Sequence, residues 1–213
     1  GWLPSSFRVW LISFPKGFAS DTVTAGGMAH ARQLIAQSEK IAFFTGAGIS
    51  TPSGIPDFRS PQSGLWSQED PLKVVSLSSF RRDPLRFYRW LAPLLRTSLA
   101  AQPNPAHLSL ANFEAGGKVL GVITQNIDRL HQRAGSSRVI ELHGSLETST
   151  CQRCRRVRKT SDFLNLLGDA PQVPRCDSCA GVFKPDITFF EEALPQQAWA
   201  EAESIVEQVD LLV

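Results

Sequence analysis

The chain reads as an α/β protein built on a parallel sheet, with a small cysteine-rich module let into it. Three observations carry that reading. Short apolar runs at Ile41–Thr45, Val119–Thr124 and residues 139–142 are rich in β-branched and aromatic residues and have the length of buried strands. Glycine turns and helix-patterned segments alternate with them, the order that produces a parallel sheet. Two C-x-x-C pairs, Cys151/Cys154 and Cys176/Cys179, lie 21 residues apart and hold all four cysteines of the chain.

A length of 213 residues suits one α/β domain with a smaller inserted module. The formal net charge of +2 singles out no class of partner. No apolar run approaches the ~20 residues of a membrane span, so a membrane is not an expected partner. Cysteines confined to residues 151–179 do not make the spread disulfide framework of a secreted fold, and the expected location is cytoplasmic. Residues 1–27 follow neither a helical nor an alternating pattern. Their apolar stretch 7–14 weakly resembles a signal peptide, but Pro15 interrupts it and no small-residue cleavage site follows promptly. The expectation is an extension outside the domain, which begins at Met28, the only methionine.

In chain order, residues 29–38 suit a helix that packs Ala29, Leu34 and Ile35 onto the first strand. The strand Ile41–Thr45 breaks at once into Gly46-Ala47-Gly48, whose bare backbone lets N–H groups approach a pyrophosphate. An ordinary tight strand-to-helix turn is the alternative, and the spacing departs from G-x-G-x-x-G because the next glycine is Gly54. What strengthens the ligand reading is the continuation Gly54-Ile55-Pro56-Asp57-Phe58-Arg59: a rigid turn, an acid, an aromatic and a cation. Residues 60–70, rich in Pro, Ser, Gly and Gln, read as a loop near the ligand.

Residues 71–99 read as helices, with Asp83-Pro84 as a start signal and Phe87, Trp90, Leu91, Leu94 and Leu95 as one core stripe. Asn104-Pro105-Ala106-His107 opens another helix, over 106–115, which stops at Gly116-Gly117. His107 in its first turn takes a packing or capping role. The strand Val119–Thr124 runs into Gln125-Asn126-Ile127-Asp128, so polar residues gather at the carboxyl edge of the sheet, where open α/β sheets bind ligands. The strand at 139–142 delivers His143-Gly144 to the same edge. A structural histidine is the alternative, but an imidazole there is the natural general base near neutral pH.

The two C-x-x-C pairs give four thiolates for tetrahedral Zn²⁺ and leave no position for water, so the metal is structural. Two disulfides or a redox C-x-x-C are the alternatives. Arg153, Arg155, Arg156, Arg158 and Lys159 surround the pairs, but four thiolates on zinc carry net negative charge and Asp162, Asp169 and Asp177 are near. A solvated basic face is the reading, and nucleic acid is not an expected partner. Residues 182–190 are expected to return to the main sheet, 195–208 to form an amphipathic helix, and 210–213 to begin another buried, central strand.

Taken in order, GAGIS, GIPDFR, TQNID, HG, the paired C-x-x-C and KPDITFF resemble the sirtuins, the family of NAD-dependent protein lysine deacylases. The resemblance runs from about residue 28 to the end. It implies a Rossmann-type domain over 28–147 and 181–213, with a helical insert at about 71–118 and a zinc-ribbon module at 148–180. It further implies NAD and an acyl-lysine protein or peptide in the cleft between them. Gly46, Ala47 and Gly48 would line the NAD pocket with Asp57, Arg59 would lie near the phosphates, and Phe58 would shield the ribose. Ile55 and Asp128 would hold the nicotinamide amide, Gln125 and Asn126 its ribose, and His143 with Asn126 would be catalytic. Thr188, Phe189 and Phe190 would bind substrate.

Three departures stand out. Glu191 replaces the glycine of Phe-Gly-Glu, Thr188 stands where valine is usual, and the family's adenosine-binding segment beyond the last strand is expected to be missing. Sirtuins that prefer succinyl groups resemble one another in a tyrosine followed three residues on by arginine; here Tyr88 is followed by Leu91, which implies neutral acyl groups. Protein ADP-ribosyl transfer, or a non-catalytic NAD- and zinc-binding fragment, are the alternatives.

Overall fold

The computed structural model describes residues 25–57 and 70–213. The expectations for residues 1–24 and 58–69, Phe58 and Arg59 among them, lie outside the described residues. Helix α1, Ala25–Gln37, starts ahead of Met28 and packs Leu34 and Ile35 beneath the sheet. Strands β1 (Ile41–Thr45), β2 (Val119–Thr124), β3 (Val139–Glu141) and β7 (Leu211–Leu212) form one sheet in the order β3-β2-β1-β7, every pair parallel.

Alternation along β1 divides the core between the two faces of this sheet. Ile41 and Phe43 meet Leu110, Val119, Val122 and Leu211 on one face. Ala42 meets Ile123, Ile140 and Ile205 on the other. Helix α5 (Pro105–Ala115) supplies Leu110, and α7 (Gln196–Val206) supplies Ile205. Both β1 and β2 are therefore covered on two sides, which is why they read as continuous apolar runs. Strand β7 is the outer strand among the described residues rather than a central one.

Between the first two strands lie α2 (Pro71–Val74), α3 (Leu77–Arg82) and α4 (Pro84–Ala100). Asp83 caps α4 by accepting the Arg86 N–H at 3.2 Å, and Pro84 in the first turn has no N–H left to satisfy. Phe80, Phe87, Tyr88, Leu91 and Leu95 pack with Leu146, Ile187 and Phe189 in a second core. The expected stripe holds except at Trp90, which is only partly buried.

Strands β4 (Gly144–Cys151), β5 (Val157–Lys159) and β6 (Phe183–Ile187) form a separate antiparallel sheet in the order β5-β4-β6. Residues 182–190 therefore do not return to the main sheet. Strand β6 pairs with β4 instead, and Pro185, which has no N–H to donate, is tolerated because β6 is an edge strand. Helix α6 is a single turn, Leu130–Arg133. No helix among the described residues is long and apolar enough to cross a membrane.

Candidate active site

The carboxyl tips of β1, β2 and β3 end side by side, as parallel strands must. The Thr45 hydroxyl donates to the Thr124 hydroxyl at 2.8 Å and ties two tips together. Beyond them opens a cavity of about 700 Å³. Ala47, Gly48 and Asp57 line it from the first loop, Gln125 and Asn126 from the second, and His143 from the third. Thr188, Phe189 and Phe190 close the opposite wall. A recess of about 30 Å³ shares Ala47, Asn126 and Ile127 with the cavity and is bounded by Ile55, Ser50 and Asp128. Gly46 lines neither space; its carbonyl accepts the Asn126 amide at 3.2 Å. A Cβ built on Gly48 meets no protein atom within 4 Å, so the space beside that glycine is open to the cavity.

His143 sits at the seam of the two sheets. Its Nδ1 lies 2.9 Å from the Gln125 carbonyl, which can only accept. The neutral ring therefore carries its proton on Nδ1 and keeps a lone pair on Nε2. The glycine after it has a structural cause. Gly144 has φ 72, and a Cβ there would run into the Asp186 carbonyl where β6 crosses β4.

Behind the second loop lies a buried polar network. Asn126 Nδ2 donates to the Ser50 hydroxyl at 3.1 Å, and that hydroxyl donates to Asp128 Oδ2 at 2.7 Å. Asp128 Oδ1 accepts the Leu130 N–H at 2.9 Å, so the carboxylate is held at both ends. His107 accepts the Asn104 N–H on Nδ1 at 3.3 Å, completing a capping box on α5 as its place in the first turn implies. Its Nε2 is left facing Ser50 at 3.5 Å. His131 Nε2 contacts Thr45 at 2.9 Å and the two histidine rings meet edge to face. Burial pushes the His131 imidazole down to about 4, helped by neighbouring His107. Burial lowers His107 too, against the pull of Asp128. Both rings are neutral parts of the scaffold.

Some residues that line the cavity were not among the expected site residues. Trp90, Val75 and Leu194 line the cavity, as do Glu191 and Glu192. Trp90 sits at the margin of the apolar stripe of α4, where only packing shows whether a side chain turns to core or cavity. Phe189 belongs to the aromatic core as well as to the wall, 4.8 Å from Phe87 between ring centres. Beneath it the buried Lys184 ammonium stands 4.1 Å over its ring, donates to the Ile187 carbonyl at 2.8 Å and pairs with Glu192 at 2.8 Å. Glu192 also accepts the Phe189 N–H. Tyr88 is turned away from the cavity: its buried hydroxyl donates to the Phe183 carbonyl at 2.6 Å, and burial pushes the phenol up.

The four cysteine Sγ atoms lie within 4.8 Å of one another, and all four thiols are free. Two separations, Cys151 to Cys179 and Cys154 to Cys176, are 3.6 Å. Zn–S bonds of ~2.3 Å in a tetrahedron place sulfurs ~3.8 Å apart, so the donor set fits zinc. Two of the surrounding arginines face Asp177, Arg156 at 2.9 Å and Arg158 at 3.5 Å, and Arg153 donates to the Cys179 carbonyl at 3.0 Å.

A model of the Sir2 family matches residues 46–213. The chain belongs to the Sir2 family. It is 46% identical over 183 residues to an NAD-dependent protein deacetylase of Saccharolobus solfataricus, a match that covers 86% of this chain and 72% of the relative. It is 43% identical to NAD-dependent protein deacetylase 2 of Caldanaerobacter subterraneus, over 86% of this chain and 73% of the relative. Among solved structures, a Sir2 complex with a p53 peptide and NAD+ is similar at a TM-score of 0.77 and 43% identity, over 87% of this chain and 73% of that one. A Sir2Tm structure bound to a propionylated peptide is similar at a TM-score of 0.75 and 42% identity, over 87% and 74%. The sirtuin fold expected from the motifs is thus the fold found.

Proposed function

We propose that this sirtuin is an NAD-dependent protein lysine deacylase, moving the acyl group of a modified lysine to ADP-ribose with release of nicotinamide. The observation that carries the reading is the meeting of Ala47, Gly48, Gln125, Asn126, His143 and the 188–190 wall on one cavity. When bound, NAD supplies a C1′ carbon that gives up nicotinamide and takes the acyl oxygen. Ala47 and Gly48 leave backbone room for it, beside Asp57. Ile55 and Asp128, at the recess, hold the carboxamide; the two hydrogen bonds on Asp128 keep its carboxylate from turning. Gln125 and Asn126 hold the ribose, Asn126 with its Nδ2 already committed to Gly46 and Ser50. His143 takes a proton from a ribose hydroxyl on Nε2, because Nδ1 is bound to Gln125.

Substrate meets Thr188, Phe189 and Phe190. Phe190 already exchanges backbone hydrogen bonds with Val75 and Leu77, so an added peptide strand uses another edge of the segment. Val75, Trp90 and Phe189 make the wall apolar, and no cation lines it among the described residues, which suits a neutral acyl chain. Zn²⁺ on Cys151, Cys154, Cys176 and Cys179 is structural. The small antiparallel sheet, residues 144–187, reaches past the expected 148–180 module at both ends, and free thiols suit a cytoplasmic location. Incubation with NAD and an acetyl-lysine peptide, followed by mass spectrometry, tests the reading. A peptide lighter by one acetyl group together with acetyl-ADP-ribose is expected. A peptide heavier by ADP-ribose would point to transferase activity, and an unchanged mixture would overturn the proposal.

A further inference from the structure

Glu191 is a non-glycine residue with φ 73, a left-handed conformation that costs a side-chain-bearing residue energy. Its side chain compensates by two hydrogen bonds across the cavity wall, accepting the Ser78 N–H at 2.9 Å and the Ser78 hydroxyl at 2.9 Å. Both donors are neutral, so they fix the carboxylate without cancelling its charge. Its neighbour differs: Glu192 is neutralised by Lys184 at 2.8 Å. Glu191 is exposed, lines the cavity next to Phe190, and shares the described wall with Asp57 and Glu192; apart from His143, no other ionisable side chain lines it. Among the described residues, the rim at Glu191 therefore presents a negative charge, held in place by an anchored side chain rather than a freely swinging one.

We propose that Glu191 is a specificity-determining residue that favours acyl-lysine peptides carrying arginine or lysine beside the modified residue. This rests on the deacylase reading for the placement of the peptide, and on the Glu191 geometry for the sign of the preference. A cationic neighbour of the acyl-lysine gains a partner whose orientation is already set, while an acidic neighbour meets a like charge that cannot turn away.

Two acetyl-lysine peptides test it, identical except that arginine or glutamate flanks the modified lysine on both sides. Affinity for the full chain is read by fluorescence anisotropy, and turnover with NAD is read in the same samples. The arginine peptide is expected to bind about three- to tenfold more tightly at low salt, an advantage that shrinks as salt is added. In Glu191→Gln, which keeps a carbonyl acceptor for Ser78 but not the charge, the ratio falls by about half or more. Equal affinities in the unmodified protein, a preference for the glutamate peptide, or an unaltered ratio in Glu191→Gln would each overturn the proposal. Charge-dependent binding without turnover would sink the deacylase reading and leave the role of Glu191 standing. Turnover of both peptides at equal efficiency and affinity would do the reverse.

Discussion

Side chains at the tips of β1 and β2 are held by one another, whereas those around the four cysteines stand mostly in water. Asn126, Ser50 and Asp128 form a chain of hydrogen bonds backed by two buried histidines and by two hydrophobic clusters. Around the four cysteines, residues 152–159 are all exposed, and the local core is little more than Cys151, Cys176 and Phe183 with Phe163 and Cys179 against them. The first region can place its groups by protein contacts alone. The second cannot bury enough apolar surface to hold its loops, and an ion bonded to four sulfurs supplies what the core lacks. The two are not independent, because β4 begins at the residue after His143 and β6 leads directly into the 188–190 wall of the cavity.

Removing the ion is the severest way to break the contrast. Chelation, or Cys151→Ser, should release binding energy on the order of 10 kcal/mol from the module. Hydrogen exchange should then rise sharply across residues 144–187 and much less across β2. Uniform protection after the zinc is gone would show that the small sheet needs no ion. His143→Ala probes the other side. Peptide turnover should fall ~10²–10⁴-fold while NAD affinity measured by calorimetry is retained, since the lost group is a base rather than a packing element. Turnover within a factor of a few would make the histidine structural.

Lys184 lies at the join. Replacing it with methionine leaves Glu192 facing the cavity floor without its cation, and removal of one partner of a buried pair costs ~3–5 kcal/mol. Thermal unfolding should register that loss, and double replacement with Glu192→Gln should recover part of it. The gentlest test uses acid. His131 titrates at about 4 in the fold and ~6.5 when unfolded, so between those values the unfolded chain binds more protons. Stability contributed by the neutral ring is full above pH ~6.5 and lost as the pH falls toward ~4, a change of roughly 3 kcal/mol. Urea midpoints taken at pH 7 and pH 5 should differ, and His131→Asn should flatten that part of the profile. A slope unchanged in the variant would place the acid sensitivity elsewhere.

Much of this molecule was legible because its signals are local. A buried parallel strand must be apolar on both faces, so β1 and β2 stood out, and the glycine turn and polar tips that follow them had one edge to occupy. Cysteine pairs with two residues between them announce a tetrahedral site without reference to anything distant. The capping histidine was legible too, because a helix start is set by residues three apart. What escaped were the partners chosen across the fold. Residues 182–190 looked like a return to the main sheet, since an apolar run does not say which strand it will pair with. Tyr88 matched the tyrosine of the succinyl pattern by spacing alone, and its hydroxyl donates to a carbonyl in β6.

The sequence by itself determined the class of fold, the sirtuin motifs, the metal-binding sulfurs and the set of polar groups at the strand tips. The fold class, the cysteine set and the polar strand tips follow from periodicity and spacing within a few residues, and the sirtuin motifs from their resemblance to the family. Only the tertiary structure decided that His143 keeps its lone pair on Nε2, that Gly144 is required by the crossing of β6, and that Glu191 stands anchored at the rim while Glu192 is neutralised. Each of those depends on an atom brought close from far along the chain: the Gln125 carbonyl, the Asp186 carbonyl, the Ser78 hydroxyl. Hydrogen bonds and ion pairs act over a few ångströms, and which groups come within that range is set by how the two sheets pack.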